Sequence, residues 1–225
     1  MDRRGLIVAI TSGPTREPVD EVRYVSNVST GTLGASIASA FLAAGHRVSF
    51  LSCIGSKRPP AHPGLEVIEF ESAESLLAAI ERTLAGQPHA ALIHAAAVAD
   101  YAPVRTAGKI SSSEPELVLR MKPTPKIADR IRARFPSLPL VMFKLEAGIP
   151  RDELWARARR TMQRAGADAI VANLVAEVTP TSHRADLLRA DGTTEALADR
   201  AAITSALVRE VERLAADRAM PGAKR

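Results

Sequence analysis

The chain has one cysteine, Cys53, in 225 residues, which excludes an internal disulfide and a cysteine metal cluster. No apolar run reaches the ~20 residues that a membrane-spanning helix needs. The amino-terminal residues MDRRG are not followed by an apolar segment with a small-residue cleavage site, so we predict no signal peptide. These absences favour a cytoplasmic protein without a membrane partner.

Aromatic side chains are scarce, with five Phe, two Tyr and one Trp. The formal net charge is +5, but the arginines are spread along the chain and do not form a basic stripe with interleaved aromatics. We therefore expect no nucleic-acid partner. The charge indicates either an ordinary solvated surface or a site for small phosphorylated molecules.

Short apolar runs alternate with helical patterns along most of the chain, which is typical of a parallel sheet covered by helices on both faces. We predict an α/β fold: a three-layer, Rossmann-like, doubly wound and mainly parallel sheet. It forms one domain over residues 1–219, with a flexible tail over 220–225. Strands are predicted at Leu6–Thr11, Arg47–Cys53, Leu65–Phe70, Ala90–Ala96, Leu138–Leu145 and Ala169–Ala172, and helices at Leu33–Ala44, Ala73–Leu84, Pro125–Phe135, Arg151–Ala165 and Leu197–Asp217.

One long excursion, Val98–Lys122, interrupts this alternation and contains a strand-like stretch, Leu117–Met121. An excursion of this length within a compact domain usually serves as a lid, a binding loop or a dimer arm. Later in the chain, Asp186–Arg189 and Thr193–Ala196 flank an Asp-Gly pair, which predicts a small hairpin.

The most informative stretch is Ile10–Gly34, ITSGPTREPVDEVRYVSNVSTGTLG. It leaves a predicted strand, crosses a loop rich in glycine and hydroxyl groups, and opens a helix with Gly-x-x-Gly. Such a loop presents backbone N–H groups to a phosphate at the helix amino terminus. Taken alone, Ser29 or Thr30 is equally a helix cap. Arg16 and Arg23 lie in the same loop and can bind a phosphate or carboxylate in a bidentate way.

A second candidate is HAAAVADY, His94–Tyr101, which follows a predicted strand. In a doubly wound sheet, ligands bind beyond the carboxyl ends of the strands. The small side chains of Ala95–Ala97 would let a flat base approach the backbone, and Asp100 would accept hydrogen bonds from a ribose or base. The alternative is that these alanines serve close packing, and we expect His94 to be a hydrogen-bonded core residue.

A third candidate is Lys109, within the excursion. A lone loop lysine is normally solvated, yet nucleotidyl transfer needs a cation to neutralise charge on the phosphate oxygens. A lysine on a closing loop supplies that cation only when substrate is present.

These motifs, followed by ADAIVAN, occur in an order and at spacings that resemble the phosphopantothenate–cysteine ligases, or phosphopantothenoylcysteine synthetases. The resemblance runs from about Leu6 to about Val211. In many bacteria this domain follows a flavin-containing decarboxylase. Because five residues precede Leu6 here, the chain resembles the stand-alone ligase and is expected to bind no flavin.

The resemblance implies a two-step reaction of coenzyme A biosynthesis. The carboxylate of 4′-phosphopantothenate attacks the α-phosphate of a nucleoside triphosphate, CTP or ATP, with Mg²⁺ neutralising the phosphates. L-Cysteine then displaces the nucleoside monophosphate and forms the amide. The family is dimeric, so the resemblance also implies a homodimer in which Leu117–Met121 has a role in reaching the partner.

The resemblance also implies catalytic roles for Asn27, which would hold the acyl-nucleotide, and for Lys109 on its loop. Arg16 and Arg23 are tentative substrate-binding residues, and no metal ligand is assigned. The residues implied for the phosphates are Gly13, Ser29 and Gly31, and those for the nucleotide pocket are Ala96, Ala97, Asp100 and Phe143.

The choice between CTP and ATP stays open in the sequence, because Ser111-Ser112, Lys144-Leu145 and Leu174 resemble the eukaryotic branch more than the fused bacterial proteins. Two other classes of function are considered. A nicotinamide-dependent reductase would need Gly-x-Gly-x-x-Gly after the first strand, which this chain lacks. A non-catalytic nucleotide-binding protein is the other alternative, and the presence of Asn27 and Lys109 argues against it.

Overall fold

The computed structural model describes residues 5–113, 115–179 and 182–219, so the predicted tail over 220–225 lies outside the described residues. None of the described helices is long and apolar enough to cross a membrane. The strands are β1 (Ile7–Ser12), β2 (Arg16–Pro18), β3 (Tyr24–Ser26), β4 (Arg47–Cys53), β5 (Leu65–Phe70), β6 (Ala91–His94), β7 (Tyr101–Pro103), β8 (Met121–Pro123), β9 (Leu140–Glu146), β10 (Ala169–Leu174), β11 (Ala185–Arg189) and β12 (Thr194–Leu197); the helices are α1 (Thr32–Ala43), α2 (Ala73–Gly86), α3 (Ile127–Arg134), α4 (Arg151–Ala165) and α5 (Arg200–Ala219), with a 3₁₀ turn at Val175–Glu177.

Eight of the described strands form one sheet in the order β12-β11-β10-β9-β6-β1-β4-β5. The six strands from β10 to β5 are parallel, whereas β11 and β12 form an antiparallel extension. The chain winds outward from β1 through β4 to β5, and then returns to build β6, β9 and β10 on the other side. The strand order therefore reverses between β1 and β6, which is where doubly wound folds leave a crevice for a ligand.

The sheet is covered on both faces, which confirms the predicted three-layer α/β fold. Helices α1 and α5 bury one apolar cluster on the first face, and α2, α3 and α4 bury a second cluster on the other. Along β1, Ile10 belongs to the first cluster and its neighbour Ala9 to the second, because successive strand residues point to opposite faces. A strand buried on both sides is apolar throughout, so it lacks the alternation of a half-exposed strand.

Most predicted elements occur within a few residues of their predicted bounds, and the hairpin is present as β11 and β12. The predicted start of the last helix at Leu197 is wrong. Leu197 ends β12 and its side chain is buried in the sheet, and the helix begins three residues later. An apolar residue at a strand end fits the helical pattern of the next element equally well, so the pattern does not separate the two.

The prediction of a strand-like stretch at Leu117–Met121 is also largely wrong. Only Met121 enters a strand, β8, which pairs with β7 as a two-stranded ribbon. Val118 is 80% exposed. Residues with high β-propensity do not form a strand where no neighbouring strand supplies hydrogen bonds.

Candidate functional site

The amino terminus of α1 is left open by its own sequence. Gly31 is the N-cap residue with φ +76°, a conformation that favours glycine, and no side chain caps the helix. Neither Ser29 nor Thr30 is the N-cap residue, although Thr30 Oγ1 accepts the N–H of Thr32, the first residue of α1, at 3.3 Å. The next N–H groups of the first turn and the positive end of the helix dipole favour an anion beside the loop.

Close contact between β1 and α1 explains the second glycine of the Gly-x-x-Gly motif. A Cβ atom at Gly34 would lie 2.2 Å from Oγ of Ser12, and that hydroxyl donates a hydrogen bond to the carbonyl oxygen of Gly31, at 3.1 Å. Gly34 therefore lets the helix approach the strand, rather than beginning the helix. Ser12 is not among the residues predicted for the site, yet its hydroxyl lies against both glycines of the motif.

Gly13 is tightly enclosed in the same way. Its φ is +86°, and a Cβ atom there would lie 2.4 Å from Oγ of Ser56. Ser56 comes from the turn after β4, and the next residue, Lys57, donates its N–H to the Thr30 carbonyl at 3.0 Å. The turn after β4 thus lies against one side of the candidate phosphate site. Lys57 begins a basic, proline-rich loop, Lys57–Pro63, and no local sequence pattern links this loop to residue 30.

Asn27 joins the two main motifs across the reversal point. Its side-chain Nδ2 donates to the carbonyl oxygens of Ala97, at 3.2 Å, and Val98, at 3.1 Å. The Ala97 N–H in turn donates to the carbonyl of Gly13, at 2.9 Å. The loop after β1 and the segment after β6 therefore form one continuous surface, and Asn27 lies at its exposed side.

His94 is hydrogen-bonded as the sequence predicts, but it is half-buried at the end of β6 and belongs to neither apolar cluster. Its Nδ1 lies 2.9 Å from Thr11 Oγ1, and this hydroxyl also accepts the N–H of Ala96, at 3.1 Å. Because the hydroxyl oxygen already accepts from Ala96, its proton is available for His94 Nδ1, which suits a neutral imidazole. Burial lowers the pKa of His94 to about 4. A neutral histidine in this position supports the backbone of the alanine segment.

The remaining nucleotide-pocket residues lie along the same edge of the sheet. Ala96 follows β6, and Phe143 is half-buried in the neighbouring strand β9, where it packs against the cluster of the first face. Asp100 is largely exposed and forms an ion pair with Lys126. A ribose or base that uses Asp100 must therefore share this carboxylate with Lys126.

The two loop arginines have different surroundings. The guanidinium of Arg16 lies 5.0 Å from the ring centre of Tyr24, and among the described residues it forms no ion pair. Arg23 is already paired: its Nη2 lies 2.7 Å from Asp20 Oδ2 and donates to the Ile110 carbonyl, also at 2.7 Å. The interpretation of both as substrate ligands stays a prediction, and of the two only Arg23 is bound by a carboxylate within the described residues.

Lys109 is exposed, while the backbone on either side of it is attached to the loop after β1. The Gly108 carbonyl accepts from the N–H of Glu21, at 3.2 Å, and the Ile110 N–H donates to Asp20 Oδ2, at 3.0 Å. Asp20 is not among the residues predicted for the site. The one signal available was its spacing of three residues from Arg23, which is typical of a local turn.

No group of three or more His, Cys, Asp or Glu side chains that could hold a metal ion occurs within the described ranges. A cavity of about 460 Å³ lies away from the candidate site. It is lined by residues that include His89, Arg134 and Phe135, and contains none of the predicted site residues. The candidate site is instead an open surface at the carboxyl ends of β1, β6 and β9.

Comparisons with known proteins identify the family. A family model described as DFP, the DNA/pantothenate metabolism flavoprotein C-terminal domain, matches residues 3–214. The coenzyme A biosynthesis bifunctional protein CoaBC of Thermococcus kodakarensis is 40% identical over 170 residues, covering 75% of this chain and 41% of that protein. CoaBC of Mycolicibacterium smegmatis is 32% identical over 209 residues, covering 87% and 49%. The chain thus spans less than half the length of these relatives.

Solved structures share the fold over nearly the whole chain. The DNA/pantothenate metabolism flavoprotein from Streptococcus pneumoniae superposes with a TM-score of 0.85 at 30% identity, covering 93% of this chain and 99% of that one. The C-terminal domain of CoaBC gives 0.78 at 26% identity, covering 95% and 97%. A Cab2 mutant solved in complex with phosphopantothenate-cysteine, at 20% identity and TM-score 0.81, has the same fold and covers 97% and 90%.

Proposed function

The chain belongs to the family of DNA/pantothenate metabolism flavoprotein C-terminal domains, and from this premise we propose that it is a phosphopantothenate–cysteine ligase. It would join 4′-phosphopantothenate to L-cysteine through an acyl-nucleotide, using CTP or ATP, and release nucleoside monophosphate and pyrophosphate. The names of its relatives, which are coenzyme A biosynthesis proteins, support this choice of reaction.

The observation that carries the proposal is the position of Asn27. Its amide bridges the loop after β1 to the alanine segment after β6, beside the uncapped amino terminus of α1. Because Nδ2 is committed to two backbone carbonyls, its Oδ1 and the nearby N–H groups are left for a ligand. A nucleotide lying across the reversal point would then place its phosphates at α1 and its base toward Ala96 and Phe143.

The first step needs cationic and hydrogen-bonding groups at the α-phosphate. The carboxylate oxygen of 4′-phosphopantothenate bonds to the α-phosphorus, and the bond to the departing pyrophosphate breaks. Negative charge builds up on the phosphate oxygens as this occurs. We assign its stabilisation to the Lys109 ammonium, the N–H groups near Gly31 and the Ser29 hydroxyl.

The second step replaces the bond between the acyl carbon and the nucleotide oxygen by an amide bond to cysteine. The cysteine amine attacks the acyl carbon, the carbon–oxygen bond to the nucleotide breaks, and nucleoside monophosphate leaves. The amine loses one proton, which we assign to solvent because no general base is identified in this site. Asn27 would hold the acyl-nucleotide in place for this attack.

We treat Mg²⁺ as part of the nucleotide substrate. This ion keeps several waters and is usually bound through substrate phosphates with one or two carboxylates. The triphosphate would therefore supply most of its ligands, in keeping with the lack of a cluster of metal-ligating side chains in the described parts of the chain.

A homodimer in the cytoplasm completes the proposal. Leu117 and Val118 of the excursion are 49% and 80% exposed, and an apolar stretch exposed in this way is suited to a partner subunit.

The test is pyrophosphate release by the purified protein with Mg²⁺ and 4′-phosphopantothenate, run in parallel with CTP and ATP and with and without cysteine. We expect release that depends on 4′-phosphopantothenate, and amide product only when cysteine is added. The faster triphosphate identifies the nucleotide. No release with either one contradicts the ligase proposal.

A further inference from the structure

Asp20 is a buried carboxylate that organises the loop after β1. Its Oδ1 accepts the N–H groups of Val22, at 2.9 Å, and Arg23, at 2.8 Å. Its Oδ2 accepts from Nε of Arg23, at 3.0 Å, and from the N–H of Ile110, at 3.0 Å. One oxygen therefore shapes the local turn, and the other binds the excursion, 90 residues away.

Asp20 stays ionised near neutral pH. Burial by itself raises the pKa of the carboxyl, but hydrogen bonds from Val22, Ile110 and Arg23 outweigh burial and hold the pKa well below its usual range. The acceptor of the loop contact is thus charged at neutral pH. Charge-assisted hydrogen bonds of this kind are shorter and stronger than neutral ones.

Asp20 and its neighbours Glu21 and Arg23 contact the backbone on both sides of Lys109. Ile110 is the residue after Lys109, and its carbonyl accepts from Arg23, the partner of Asp20. Before Lys109, the carbonyl of Gly108 accepts from Glu21, the neighbour of Asp20. The backbone of Lys109 is therefore clamped between two hydrogen-bonded residues, while its side chain is exposed.

We infer that Asp20 is a positioning residue: together with Arg23 it holds the loop at Gly108–Ile110 so that the Lys109 ammonium reaches the α-phosphate. The inference rests on the proposed ligase function. Asp20 does not touch substrate, so it acts through Lys109. The excursion is then a docked loop whose position is set by the same segment that binds the phosphates.

The variant Asp20→Asn separates the two functions of the carboxylate. The amide oxygen can still accept from Val22 and Arg23, which preserves the turn. The NH₂ group of the asparagine then faces two other hydrogen-bond donors, the N–H of Ile110 and the Nε–H of Arg23. Because donors do not bond to one another, the contact with the loop is lost. Asp191→Asn is the matched control, because Asp191 also accepts within a turn, from the N–H and hydroxyl of Thr193, far from the site.

The kinetic test measures kcat and KM for acyl-nucleotide formation. We expect Asp20→Asn to lower kcat by about 100-fold, as misplaced catalytic groups do, with KM for both substrates changed less than about twofold. Ile110→Pro, which removes the N–H from the loop side, should produce the same pattern without altering the buried turn. In a Lys109→Ala background, Asp20→Asn should add less than about twofold, because both act through one group.

Limited proteolysis tests the loop contact independently of activity. Trypsin cleaves after Lys109, and we expect Asp20→Asn to accelerate that cleavage about tenfold, as opening of the loop becomes easier. Asp191→Asn should leave both cleavage and kcat as in the wild type. Mass spectrometry of the fragments assigns the cleavage site.

Two results would overturn the inference: unchanged cleavage after Lys109 in Asp20→Asn, or an equally large loss of kcat from Asp20→Asn in the Lys109→Ala background. The second result would show that Asp20 affects activity independently of Lys109, through the stability of the fold. If the wild type releases no pyrophosphate, the ligase proposal fails on its own. Faster cleavage would then establish only that Asp20 holds the loop, and its role in positioning for ligation would be rejected.

Discussion

At the scale of single residues, Asn27 is bound by hydrogen bonds that cross between two loops. We expect Asn27→Ala to lower ligase activity by about 100-fold, since the intermediate loses a positioned amide. The free energy of unfolding should fall by only about 1 kcal/mol, because these hydrogen bonds are exposed to water. Steady-state kinetics and urea unfolding check both. Val28→Ala, at the exposed neighbouring residue, is the control, and equal losses in the two variants would contradict a specific role.

His94 gives a second prediction at this scale, for the dependence of stability on pH. Burial holds its pKa near 4, against 6.5 for the free side chain, so between these values the unfolded chain binds a proton that the folded chain does not. The contribution of His94 is complete above pH 6.5 and is lost as the pH falls toward 4. The free energy of unfolding should therefore drop by about 1–2 kcal/mol between about pH 7 and about pH 5 from this group.

His94→Gln is the variant that checks this prediction, because glutamine keeps an acceptor for Thr11 and does not titrate. Urea unfolding at the two pH values should show a flatter dependence for the variant. The same slope in both proteins would mean that other groups account for the pH effect.

At the scale of elements, the approach of α1 to β1 depends on the absence of one side chain. We expect Gly34→Ala to destabilise the protein by about 1–3 kcal/mol, the usual effect of overpacking, because the added Cβ lies 2.2 Å from Ser12 Oγ. Weaker nucleotide binding should accompany this loss, since the helix terminus shifts. Thermal unfolding and nucleotide titration measure the two effects.

Gly86→Ala is the matched control for that experiment. Gly86 ends α2, and an added Cβ meets no atom within 4 Å, so the substitution should be neutral or slightly stabilising. If Gly34→Ala proved as stable as Gly86→Ala, the close contact between Ser12 and α1 would be wrong.

The bounds of the helices and strands also show which of them local sequence patterns can predict. The bounds of β4, β5 and α4 match the prediction residue for residue, because apolar runs and terminal glycines are local signals. By contrast, β6 ends at His94, two residues before the predicted end, because the chain turns there toward Gly13. Of the stretch Leu117–Met121, only Met121 pairs with another described strand, β7, and nothing in the stretch itself reveals this.

At the scale of the whole molecule, the proposed homodimer has a direct test. Sedimentation equilibrium should give twice the chain mass of 24.0 kDa. Val118→Asp should shift the protein toward the monomer, because it places a charge on an exposed apolar stretch of the excursion. Val67→Asp, on the edge strand β5, is the control and should leave the mass unchanged. A monomeric wild type would contradict the proposal.

What the sequence determines by itself is the class of fold, the approximate elements and the family that its motifs resemble. Each of these has a local cause: the period of apolar residues, the spacing of glycines, or the density of hydroxyl groups. The family match over residues 3–214 agrees with this part of the prediction.

The tertiary structure alone decides which loops meet. Placing β1 beside β6 brings Asn27 to Ala97, 70 residues away, and the clamp on Lys109 joins Asp20 to Ile110, 90 residues away. Neither pair shows a spacing that a sequence pattern can detect, because their contact depends on strand order and chain reversal. The same order brings the Arg23 guanidinium to the Ile110 carbonyl, 87 residues away, whereas the pairing of Arg23 with Asp20 is local. The sequence shows which side chains are available for chemistry, but the fold decides which of them lie together.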